Sequence, residues 1–423
     1  MAIENEYKLI KAARMLDGKS NVVMEKPVVI TRGSEIHFVG TEEGAKWYVE
    51  QVLAAGCGFV IEEFNYPDAT ILPGLVDTHV HINWFGDGRP GDEIEQYPTD
   101  LLLLQSAQNI EKHLKSGVTT IRDCGSKHQT AFFIKDAVRL GIIPGPRMVI
   151  CGRPITITGG HTWYMGGEAN GKIGVTNAVR QLIKEGADFI KIIATGGSTK
   201  TSVQFRQSFN REEIKVIVEE SHKLGKLTAA HCVGNDGILN ALEAGVDTII
   251  HCRFFDTSGS PSFDQDIAKR ISDTGTWVDA TVAQAWARQL QLESEERQGR
   301  TLTIEEKYEI NQIEEARAIQ KEHFQKMLNM GVKMVSGSDS AWMYYPMGGF
   351  QYEIIGHAEW GMTNIDAIIS GTGAAAECIG LGDTVGTLEV GKKADILVVD
   401  GDPTTNIWDL LNVNTVFLDG QKV

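Results

Sequence analysis

Short runs of apolar and β-branched residues alternate with longer stretches of mixed polarity through most of the chain. The runs are TILPGLVDTHVHI (70–82), VTTIRD (118–123), RMVICG (147–152), DFIKIIATGG (188–197), KLTAAHC (226–232), VDTIIHC (246–252), TWVDATV (276–282) and VKMVSGSDS (332–340). Near-continuous apolar character is what a strand covered on both faces requires. The stretches between, such as NAVRQLIKEG and REEIKVIVEESHKLG, repeat apolar residues at helical spacing and end on a glycine, which fits the left-handed residue just past a helix. Strand followed by helix, eight times, predicts an α/β fold: a (β/α)8 TIM-type barrel over residues 69–385, with its chemistry at the C-terminal strand ends. An open doubly wound sheet is the rival, but no GxGxxG follows a first strand.

The two ends of the chain follow a different pattern. KPVVITRGSEIHFVG and GFVIEEFN on one side, and GTLEVGKKADILVVDGD and TVFLDGQKV on the other, are strand-like runs with Gly and Asp at the turns. Residues 1–68 and 386–423 are therefore expected to form one small β-sandwich domain beside the barrel.

Composition narrows the function. With 42% hydrophobic and 23% charged positions in 423 residues, the chain carries enough apolar material for a large core. A net charge of −16 with no basic run argues against nucleic acid and anionic membranes as partners, leaving a small-molecule substrate. MAIENEYKLIKAARML does not read as a secretory signal, and no run approaches the ~20 apolar residues of a membrane helix, so a cytoplasmic location is expected. The six Cys are scattered without a CxxC pair, which favours buried reduced thiols over disulfides or a thiolate zinc site. Barrels of this kind often associate, and a homo-oligomer is expected.

The candidate chemistry sits at the predicted strand ends. In Asp77-Thr78-His79-Val80-His81, side chains two apart point the same way, so both imidazoles project to one side and can share a metal. Lys191, His231, His251 and Asp339 recur at or near the ends of the fourth, fifth, sixth and eighth runs. A single His in TAAHC or TIIHC is more often a hydrogen-bonded core residue. Four His and an Asp around one mouth point jointly to a metal site. Lys191 is the odd member, because an ammonium repels cations. Either it pairs with Asp339 or another carboxylate, or burial favours its neutral amine, which reacts with carbon dioxide to give a carbamate able to bridge two metals. Two divalent ions about 3.5–4 Å apart would make a shared water acidic enough to attack at neutral pH.

This constellation resembles the amidohydrolase superfamily along essentially the whole chain: LPGLVDTHVH, the lone Lys of FIKI, the His of strands five and six, GSDS, and the closing GKKADILVVDGDP. The resemblance implies two divalent ions, zinc foremost, and a CO2-derived carbamate on Lys191. It places His79, His81 and Asp339 on the more buried ion and His231 and His251 on the more exposed one, with carbamylated Lys191 bridging. Asp339 is the implied general acid/base, passing the water's proton to the leaving nitrogen. A narrower likeness, to the imidazolonepropionase-like group with its barrel prolidases and arginine carboxypeptidases, rests on ITGGH (157–161), IIATGG (192–197) and the spacing of strands four to six. It implies that His161 donates a hydrogen bond to the substrate carbonyl as it becomes an oxyanion.

One position departs from that group: where its prolidase-like members carry a carboxylate-binding Tyr, two residues after the strand-five His, this chain has Val233. Arg206, Arg253 or Tyr344 with Tyr345 are the expected replacements. Trp163, with Trp84, Phe85, Tyr164, Trp286 and Trp342, suggests an apolar or aromatic substrate group. His113, His128, His222, His323 and His357 are read as structural, and residues 292–327 as one long solvated helix capping the mouth. The expected activity is a binuclear metal-dependent hydrolase cleaving an amide C–N bond, with a dipeptide or N-acyl amino acid as substrate. The alternative is a cyclic amide, lactone or carbamate. Deamination is disfavoured because the superfamily's single-metal deaminases lack the bridging lysine, and a non-catalytic role is disfavoured because all six donors are present.

Overall fold

The structure is a computed structural model that describes residues 6–53 and 60–423, so Cys57 and the first residues of GFVIEEFN lie outside the described residues. Its strands are β1 (Glu6–Leu16), β2 (Val23–Glu25), β3 (Pro27–Arg32), β4 (Glu35–Thr41), β5 (Val60–Pro73), β6 (Leu75–Val80), β7 (Val118–Asp123), β8 (Arg147–Ile150), β9 (Phe189–Ile193), β10 (Leu227–Gly234), β11 (Thr248–Phe255), β12 (Trp277–Asp279), β13 (Met334–Val335), β14 (Ile396–Asp400), β15 (Val413–Leu418) and β16 (Gln421–Lys422). The fold is mixed α/β.

Strands from both ends of the chain share one sheet, in the order β16-β15-β14-β5-β1-β3-β4, with β2 also on β1. β5 joins the two ends. It runs parallel to β1 on one edge, while its last residues pair antiparallel with β14 on the other, Ile71 opposite Val398 and Leu72 opposite Leu397. Hydrogen bonding joins these strands of both chain ends into a single continuous eight-stranded sheet, because β5 is long enough to be paired on both edges.

Gly74 splits what reads in sequence as a single first strand. A Cβ there would lie 2.2 Å from the Thr119 hydroxyl, so only glycine lets the chain pass from the terminal sheet into β6 this close to β7. β6, β7 and β8 form a parallel sheet, and β13, β12, β11, β10 and β9 form a second. Single parallel bridges continue the pairing between them, Ile155 to Ile192 beyond β8 and Val80 to Ser340 beyond β13.

The helices between the strands follow the expected pattern. Gly171–Glu185 buries Val175, Val179 and Leu182 and ends at Gly186 with φ +106°, and Arg211–Lys223 starts with a reciprocal cap between Asn210 and Glu213. The charged stretch expected as one helix is two, Val282–Arg297 and Ile304–Asn329. Gly299 at φ +95° breaks it, and a Thr303–Glu306 capping box restarts it. No helix among the described residues is long and apolar enough to cross a membrane. Cys124, Cys151, Cys232, Cys252 and Cys378 are buried and free.

All five residues of β9 are buried. Each fully buried Ile in such a strand contributes about 1.5–3 kcal/mol. Lys191, in their midst and 2% exposed, is costly there unless something compensates its charge.

Candidate metal centre

The period of two along β6 carries into the residue after it and brings His79 and His81 to one side, with their Nε2 atoms 3.3 Å apart. Asp339, just beyond β13, places Oδ1 3.4 Å from each of those nitrogens. The backbone helps: the Asp339 N–H donates to the His79 carbonyl at 2.8 Å, and Asp339 is held at φ +59°, a left-handed conformation that needs such support. The Gly125 carbonyl accepts from His81 Nδ1 at 2.9 Å, which keeps the proton there and leaves Nε2 as a lone pair. Burial, and then the Lys191 charge, push the His81 imidazole down to about 3, so it is neutral. Burial pushes the Asp339 carboxyl up to about 7. Two imidazole nitrogens and a carboxylate oxygen converging in this way suit a divalent cation. His79 Nδ1 has no hydrogen-bond partner, and the nearest carboxylate oxygen, Oδ2 of the fully buried Asp279, is 3.6 Å away.

His231 on β10 and His251 on β11 face each other, ring centroids 4.6 Å apart. Each has one nitrogen engaged: His231 Nε2 with the Gly196 carbonyl at 3.0 Å, and His251 Nδ1 with the Thr281 hydroxyl at 2.8 Å. Each therefore keeps one nitrogen free as a ligand. Lys191 faces the same cavity, and among the described residues no carboxylate pairs with it, so the Lys191–Asp339 ion pair left open by the sequence does not form. His79, His81, Lys191, His231, His251 and Asp339 all line one cavity of about 200 Å3.

His161 lines it too, its ring 4.8 Å from that of His231. Its Nδ1 meets the Thr199 hydroxyl at 2.8 Å, and a Cβ on Gly197 would fall 2.4 Å from the ring, so the second Gly of TGG makes room for it. Burial, then the Lys191 charge, push the imidazole down to about 3.

The expected substrate residues divide. Arg253 lines the cavity; it donates to Gln284 Oε1 at 3.3 Å, and no carboxylate pairs with it among the described residues. Arg206 does not reach the cavity: it is exposed, on the loop after β9, and Gln204 lines the wall instead. Tyr344 is packed beneath Arg288, whose guanidinium sits 4.4 Å from the ring centroid, and Tyr345 is buried beside it in an apolar cluster. Trp163 packs on Tyr164, away from the lining. Of the aromatic residues singled out, Trp342 alone lines the cavity; Trp84 is buried behind it, ring centroids 4.9 Å apart. Sequence reading missed Thr199, Asp279, Thr281 and Gln284. Asp279 carries a usable signal, since it ends the seventh strand as the other donors end theirs.

The amidohydrolase family profile matches residues 70–423. The chain is 27% identical to ochratoxinase of Aspergillus niger over 441 aligned positions, covering 96% of this chain and 83% of that protein. It superposes on a Xaa-Pro dipeptidase solved with methionine in its active site at a TM-score of 0.79, with 28% identity and 99% of each chain covered. A further solved amidohydrolase gives a TM-score of 0.81 with 26% identity, over 99% of this chain and 98% of that one. A profile match over most of the chain makes this protein a member of the amidohydrolase family and a hydrolase of carbon–nitrogen bonds.

Proposed function

We propose that the chain is a binuclear metal-dependent amidohydrolase that cleaves the amide bond of a dipeptide or N-acyl amino acid bearing an apolar or aromatic group. The two parallel sheets are read as one closed (β/α)8 barrel, a reading supported by the bridges Ile155–Ile192 and Val80–Ser340, with residues 1–68 and 386–423 as a separate β unit. His79, His81 and Asp339 would hold the more buried cation and His231 and His251 the more exposed one, with a carbamate on Lys191 as a further oxygen donor. Zinc suits this donor set. When bound, such cations would supply Lewis acidity to the scissile carbonyl and lower the pKa of a water towards neutrality.

The side chains do the rest. Asp339 accepts the proton of the attacking water and returns it to the nitrogen, so that the C–N bond breaks with a neutral amine leaving. Neutral His161 donates from Nε2 to the carbonyl oxygen as charge gathers there. Arg253 binds the substrate's free carboxylate, doing the work that Val233 cannot. Trp342, Met343 and Val233 offer apolar surface to the remainder. A homo-oligomer in the cytoplasm, acting on small molecules, completes the reading and is consistent with the net charge of −16.

The observation that carries the substrate class is Arg253: a guanidinium without a carboxylate partner, in the cavity that holds all six donors. The names of the dipeptidase and ochratoxinase relatives agree with hydrolysis of a small molecule. The test is a panel of dipeptides and N-acyl amino acids, each with a free or an amidated C-terminus, offered to the metal-loaded protein. Turnover confined to the free carboxylates is expected. Turnover of cyclic amides, lactones or carbamates with none of the panel would replace this reading with the alternative.

A further inference from the structure

Thr281 is the N-cap of the helix Val282–Arg297, yet its hydroxyl does not cap it. Threonine at that position ordinarily accepts from the first free N–H groups of its own helix. Here Thr281 is at φ +49° and its hydroxyl turns to His251 Nδ1 instead, at 2.8 Å. The N–H groups thereby abandoned are buried and need another acceptor. Glu353, from the helix Gln351–Glu359, supplies it: Oε1 accepts from Val282 N at 2.9 Å and Oε2 from Ala283 N at 2.7 Å. Glu353 is fully buried, with His357 Nε2 at 3.3 Å on the same helix.

We propose that Glu353 is a positioning residue for the metal centre: it takes over the cap, and so frees the Thr281 hydroxyl to fix the orientation of His251. The inference rests on the binuclear reading above. One turn of chain thus serves three functional side chains, since Asp279 lies beside His79, Thr281 holds His251, and Gln284 holds Arg253. Without Glu353, the Thr281 hydroxyl is drawn back to its own helix and His251 loses the partner that orients it. A carboxylate that only stabilised the helix would leave cation affinity unchanged in folded protein.

The test loads full-length protein with Co2+, dialyses it against graded chelator, and measures cobalt per chain beside the far-UV circular dichroism. Wild type is expected to hold two ions. Thr281→Val should release one of them at about 10- to 100-fold lower chelator, the usual effect of removing a partner behind a ligand, and Thr281→Ser should restore it. Glu353→Gln should show the same loss, and adding it to Thr281→Val should change little more. Should Glu353→Gln not fold, Glu353→Asp, which keeps the charge and shortens the reach, replaces it with the same expectation. Folded Glu353 variants that release cobalt as wild type does overturn this inference alone. A wild type that holds fewer than two ions overturns the binuclear reading instead.

Discussion

The hydroxyl of Thr199 lies 2.8 Å from Nδ1 of His161 and accepts the Thr162 backbone N–H at 3.1 Å. Having taken that N–H, the hydroxyl is free to give its own proton to Nδ1, which leaves the ring proton on Nε2. That tautomer is the one the proposed role of His161 requires, with Nε2 as a donor to a developing oxyanion.

Replacing His161 with Ala is accordingly expected to lower kcat by about 10²- to 10³-fold with little change in KM. Thr199→Val should cost less, about 5- to 10-fold, the worth of one hydrogen bond. Steady-state kinetics with metal analysis decides the matter: a rise in KM alone, or loss of cations from either variant, would contradict the assigned role.

Lys191→Ala should lower the cation content of the purified protein and abolish most activity. Wild-type protein stripped of metal and reloaded in CO2-depleted buffer should recover slowly, and added bicarbonate should speed recovery. Full cation content in Lys191→Ala, or recovery indifferent to bicarbonate, would remove the carbamate from the account.

Arg253→Met should raise KM for substrates with a free carboxylate by roughly 10- to 100-fold, because hydrogen bonds to charged groups contribute about 1.5–3 kcal/mol. Amidated analogues should react with both proteins equally, however slowly. An equal loss on both substrate sets would mean that Arg253 shapes the cavity without reading the carboxylate.

Acid should weaken the joint between the chain ends. Hydrogen bonds from Thr387, Lys392 and Lys19 hold the Glu389 carboxyl down at about 2, from an ordinary value of 4.5. A depressed carboxyl stabilises the fold fully above its unfolded value, and that stabilisation is lost as pH falls from about 4.5 towards 2. The side chain is 39% exposed, so the effect at pH 7 should stay within about 1 kcal/mol. Thermal unfolding of Glu389→Gln and wild type should differ at pH 7 and converge in acid; a gap that persists at low pH would assign the difference to packing.

The candidate metal donors were legible because parity in a strand fixes where a side chain points. His79 and His81 could be placed from spacing, and Lys191, His231, His251 and Asp339 from their common position at strand ends; all six line one cavity. No such rule governs loops, which is why Arg206, Tyr344 and Trp163 were expected at a cavity they do not line. Glu353 was hidden differently. In QYEIIGHAEW it looks like half of an exposed Glu–His pair four residues apart, but this helix has almost no outer face: Gln351, Glu353, Ile354, Ile355, Gly356 and His357 are all buried. The break at Gly299 was missed because the charges on both sides continue a helical pattern that the backbone does not.

β5 runs through Gly74 directly into the strand that leads to His79 and His81, and its far edge is closed only by β14, more than three hundred residues later. During synthesis that edge stays open until nearly the whole polypeptide has left the ribosome, a non-local pairing of the kind that forms slowly. β6 itself is paired early, by β7, so the late closure falls on β5 alone, and a nascent chain stalled before residue 396 would expose that unpaired strand edge.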